Sequence, residues 1–160
     1  MFPGSTPSTQ SPVGDALGML HPLLVHFPVA LLLAAVPAEF LRIRRGPNES
    51  PSTTRFLVIT GALGSLAAGV TGWIKAAMDG GGYDGRDLGW HKWTGVAVTA
   101  LALLLWLTAP APNSSRARLT IFRIMLLATA AIVCATGHFG AVLAGHQFDV
   151  KEFLKGLVGG

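Results

Sequence analysis

The sequence predicts an all-α membrane protein, a four-transmembrane-helix up-down bundle with both termini on the outer side, and three observations carry that prediction. Just over half of its residues, 51%, are hydrophobic and only 12% are charged, too few polar groups to cover a soluble globule of this size. Four apolar stretches each approach the roughly 20 residues that a helix needs to cross about 30 Å of hydrocarbon. The basic residues gather at the expected ends of those stretches, as positive-inside topology requires, and form no continuous stripe that would bind nucleic acid.

The organisation reads as a flexible polar leader over 1–20, a four-helix membrane domain over 21–146, and an outer-surface amphipathic helix and tail over 147–160. The spans fall at about 22–43, 55–77, 90–109 and 117–145. In the first, Pro22 suits an opening helical turn, while Pro28 and Pro37 should bend the helix. Glu39 is one turn from Arg42 and is expected to pair with it. The second span repeats small residues, Gly61, Ser65 and Gly69 on one line and Gly64, Ala68 and Gly72 on the next, which allow close helix approach or room for a flat ligand. Trp73, Trp90, Trp93 and Trp106 fit interfacial belts. The Gly/Asp-rich segment 79–87 reads as a polar turn with no defined ion-binding pattern.

Arg42, Arg44, Arg45 and Arg55 mark the first loop as cytoplasmic, as Arg116, Arg118 and Arg123 mark the third. The single cysteine, Cys134, excludes an intrachain disulfide and reads as a buried small apolar side chain in the fourth span. After that span, Val150, Phe153, Leu154 and Leu157 recur at helical spacing, the pattern of a short surface helix.

Under this topology all five histidines, His21, His26, His91, His138 and His146, fall in the outer half of the membrane or at its outer surface, with His21, His91 and His146 close to the interface. A rise of about 1.5 Å per residue puts His26 and His138 at matched depths, about 6–8 Å inside the boundary. Helices one and four are neighbours in an up-down bundle, so these two imidazoles are the expected axial ligands of a haem. His21 and His26 are about 140° apart on an ideal helix and cannot share one metal unless the backbone breaks near Pro28. His21, His91 and His146 are accordingly assigned supporting or alternative roles, including a copper or zinc site. A bundle with no cofactor, serving as an accessory or anchoring subunit of a larger membrane complex, is the remaining alternative. No CxxCH occurs, so the expected haem is of the b type.

The segments HPLLVHFPVALLL from His21, GWHKWTG around His91 and GHFGAVLAG around His138 resemble the bacterial membrane proteins grouped as domain of unknown function 2231. The resemblance covers residues 19–148. It implies a multi-pass protein of the bacterial inner membrane, associated with electron transfer rather than a stand-alone enzyme. Its partners, besides lipid, would be a c-type cytochrome or a larger respiratory complex, because some members are joined to or encoded beside c-type cytochrome modules. His21, His26, His91 and His138 match the family pattern. His146 departs from it, in Ala-Gly-His-Gln-Phe, where many members end differently.

Overall fold

A computed structural model describes residues 12–46, 49–78, 85–111 and 114–145. It contains helices α1 (Pro12–Arg45), α2 (Ser52–Met78), α3 (Gly85–Thr108) and α4 (Arg116–Leu143), and no strand occurs among the described residues. Each helix has a stretch long and apolar enough to cross a membrane: Met19–Arg45, Ser52–Met78, Gly85–Thr108 and Arg116–Leu143. Large apolar side chains such as Leu23, Phe56, Leu107 and Ile124 stand exposed around the bundle, as hydrocarbon allows and water does not.

The first helix corrects the reading of the leader. It begins at Pro12, so residues 12–20 are helical and Pro22 lies inside the helix rather than at its opening. Pro12 now fills the opening position, where a missing N–H costs nothing. The helix runs through Pro22, Pro28 and Pro37 without interruption. His21 and His26 therefore stay on different faces. The segments 1–11, 79–84 and 146–160, which hold most of the leader, most of the Gly/Asp-rich turn, His146 and the amphipathic tail, lie outside the described residues.

The helices form a ring in which α1 packs on α2 and α4, and α3 on α2 and α4. Contacts within the hairpins α1–α2 and α3–α4 are more extensive than those between them. Inward positions follow an alternating spacing of four and three residues, the signature of near-parallel helix packing. On α1 the seam is His21, Val25, Pro28, Leu32, Ala35, Glu39 and Arg42, all buried or half-buried. On α3 it runs His91, Gly95, Val98, Ala102 and Leu105, and on α4 Phe122, Leu126, Thr129, Val133, Thr136 and Gly140. Leu32, Ala62, Val98, Ala102 and Val133 form one apolar cluster; Ala35, Val58, Leu105, Phe122 and Leu126 belong to a second.

The small residues of α2 let α1 come close. A Cβ on Gly61 would stand 2.9 Å from Leu32, and one on Gly64 would stand 3.3 Å from Pro28. Gly69 faces α3 instead, with 3.7 Å to Thr99.

Below the second cluster the ring closes on charge. Glu39 is 3% exposed and accepts two hydrogen bonds from Arg42, from Nε at 2.8 Å and Nη2 at 2.7 Å. Arg123 of α4 adds a third at 2.9 Å, and Thr54 of α2 donates a longer one at 3.5 Å. The expected Glu39–Arg42 pair is thus buried rather than snorkelling, and it ties three helices together. Two other arginines cap the end of α3: Arg55 reaches the Pro110 carbonyl at 3.4 Å and Arg118 the Ala109 carbonyl at 3.3 Å. Cations at helix C-termini meet carbonyls left without intrahelical partners.

Candidate functional site

At the opposite end, His21 from α1 and His91 from α3 approach across the ring's diagonal, their ring centroids 6.3 Å apart and the ring planes at 79°. Each is held by the helix next to it. His21 Nδ1 lies 3.0 Å from the Ala68 carbonyl of α2, and His91 Nδ1 lies 3.1 Å from the Thr136 carbonyl of α4. A carbonyl only accepts, so Nδ1 carries the proton in both rings, and in the neutral imidazole Nε2 then keeps its lone pair. That tautomer, with one nitrogen fixed to a backbone oxygen, is how proteins orient imidazoles that bind metals.

Glycine makes the room. A Cβ on Gly72 would stand 2.8 Å from His21 Cε1, and one on Gly140 would stand 3.0 Å from His91 Cε1. The two arrangements match: Ala68 precedes Gly72 by one turn of α2, as Thr136 precedes Gly140 by one turn of α4. Each hairpin thus offers one histidine on its first helix, and on its second a carbonyl to fix the ring and a glycine to admit it.

Both rings line a cavity of about 660 Å³, within the roughly 300–1,000 Å³ of small-molecule and cofactor pockets. Its walls come mainly from α2 and α3, with Pro28 and Val29 of α1 and Val133 and Thr136 of α4 behind them. It opens to the exterior between α2 and α3, where Val70, Trp73 and Val96 are exposed. At the rim Lys92 sits 4.0 Å above the Trp73 ring, a cation–π contact.

The other histidines lie elsewhere. His26 is exposed and its Nδ1 donates to the Pro22 carbonyl of its own helix. His138 is exposed too, with its ring 5.7 Å from that of Phe139, which in turn stacks on Trp90 at 6.1 Å. The expected inward-facing pair rested on matched depth and on the adjacency of helices one and four; helical phase sets both residues on outer faces and turns His21 and His91 inward. Cys134 is exposed. Among the described residues, no group of three or more His, Cys, Asp and Glu side chains converges on a common point. Gly72 and Gly140 as the beds of the two rings, and Arg123 and Thr54 around Glu39, were not assigned from the sequence. The repeated Gly-x-x-Gly of Gly69–Gly72 and Gly137–Gly140 was the available signal.

No curated protein and no solved structure matches the chain. The family described as predicted membrane protein (DUF2231) matches residues 19–150. With that match running from the start of the first span to beyond the last, and with four helices fit to cross a bilayer, the chain belongs to the DUF2231 family of membrane proteins.

Proposed function

We propose that the protein is a small membrane b-type cytochrome, in which His21 and His91 hold one haem iron and the bundle takes part in electron transfer. One observation carries this reading: two imidazoles from different hairpins face a common cavity, each with Nδ1–H fixed and Nε2 free. The ring centroids lie 6.3 Å apart, close enough for both imidazoles to reach one metal atom that each would bind through Nε2 at about 2 Å. A haem asks the protein for only two ligands, whereas zinc and copper sites favour three or four, a number not assembled among the described residues. This favours haem over the copper or zinc alternative.

When bound, the haem would supply one-electron chemistry at its iron. The Ala68 and Thr136 carbonyls would keep both rings in the ligating tautomer, and the apolar walls would exclude competing water. In this reading the arginine end is cytoplasmic and the histidine end faces the outer side of a bacterial inner membrane, within reach of a c-type cytochrome or a larger respiratory complex. The support is the concentration of arginines at one end.

A reduced-minus-oxidised absorption spectrum of the purified, haem-replete protein tests the reading. A shifted Soret band is expected, lost in His21→Ala and in His91→Ala but retained in His26→Ala and His138→Ala. Absence of any haem band overturns the function, and loss of the band in His26→Ala or His138→Ala with retention in His21→Ala overturns the assignment of ligands.

A further inference from the structure

We infer that the arginine end carries a second, independent site, one that binds a phosphate group. A cavity of about 470 Å³ lies where the four helix ends meet, bounded by Arg42 of α1, Gly46 and Glu49 of the first connection, Pro110, and Arg116 and Arg123 of α4. Three guanidinium groups face it and their charges are only partly compensated. Glu39 neutralises one of its two arginines, and Glu49 is paired with Arg45 at 3.2 Å. Arg116 has no side-chain partner among the described residues, in contrast to Arg55 and Arg118, which are committed to the carbonyls ending α3.

Arg123 gives only its Nε to Glu39, so its terminal nitrogens remain for a ligand. The start of α4 adds to the same charge, since Ser115 caps it by accepting from Arg118 N alone and the helix end attracts anions. Guanidinium groups bind phosphate oxygens in a planar, two-pronged manner. The site lies at the end of the membrane-spanning helices, so the phosphate belongs either to an anionic lipid headgroup or to a free phosphate in solution.

The full chain in detergent, followed by native mass spectrometry and thermal unfolding, separates the sources. Retention of phosphatidylglycerol over phosphatidylcholine, weakened about tenfold or more in Arg116→Gln, identifies a lipid headgroup. A rise in unfolding temperature with inorganic phosphate, lost in Arg116→Gln and accompanied by no lipid preference, identifies free phosphate. Arg44→Gln removes the same charge from an exposed residue at that end which lies over Phe40, and should leave binding unchanged. Equal weakening by the two substitutions, or no response to either probe, overturns the site. Neither readout depends on haem.

Discussion

At one end of the bundle a carboxylate is closed in by two arginines and a threonine; at the other, two imidazoles meet at 6.3 Å beside an open cavity. Both ends bring polar groups into an apolar interior on the same helical seams. Glu39 is satisfied by the groups around it, and its cluster serves to fix helices. At the histidine end each ring is satisfied by the protein on one nitrogen only. A group left half-partnered inside a membrane bundle is where a ligand is to be sought, and a group fully partnered is where stability is.

Substitutions should separate the two ends, and the largest effect belongs to Glu39. Glu39→Ala leaves Arg42 and Arg123 without their common partner, and removing one member of a buried ion pair typically costs about 3–5 kcal/mol. Thermal unfolding in detergent should show this as a large fall in midpoint. Gly72→Ala and Gly140→Ala come next. Each forces a ring away from a contact of 2.8 or 3.0 Å, at about 1–3 kcal/mol if the site overpacks, and because the hairpins are built alike the two should weaken retention of the proposed haem to similar degrees. A loss confined to one of them would break the correspondence between hairpins.

Thr54→Val removes a single long hydrogen bond to Glu39, which retains three others, and should lower stability by about 1 kcal/mol or less without altering the haem spectrum. Gly69→Ala is the smallest change expected. Its Cβ meets only Thr99 at an ordinary 3.7 Å, so both unfolding and spectrum should stay close to those of the unaltered protein.

Helix number and class were legible because length and hydropathy are properties of a whole segment. Ends were less so: Pro22 looked like an opening turn, and only the continuation through Met19 and Leu20 to Pro12 shows it to be interior. The inward face was hardest to read, for a physical reason. A membrane helix is apolar on both its lipid and its protein side, so the contrast that marks the core face of a soluble helix is missing. Depth along the axis can be counted from the sequence, and it brought His26 level with His138. Phase around the axis needs a fixed point. Glu39 supplies one, since a carboxylate inside a bilayer must turn inward, and counting back from it by alternating four and three residues reaches Ala35, Leu32, Pro28, Val25 and His21 while passing over His26.

The two hairpins also bear on how the protein assembles. Contacts within α1–α2 and within α3–α4 outweigh those that join the hairpins, so each hairpin can form as a local unit before the two dock. His21 belongs to one and His91 to the other. A ligand gripped by both rings exists as a bound species only after docking, and by mass action it stabilises the docked state over the separated one. Such a ligand acts as a clasp across the weaker seam of the bundle, and its retention reports that the final step of folding has taken place.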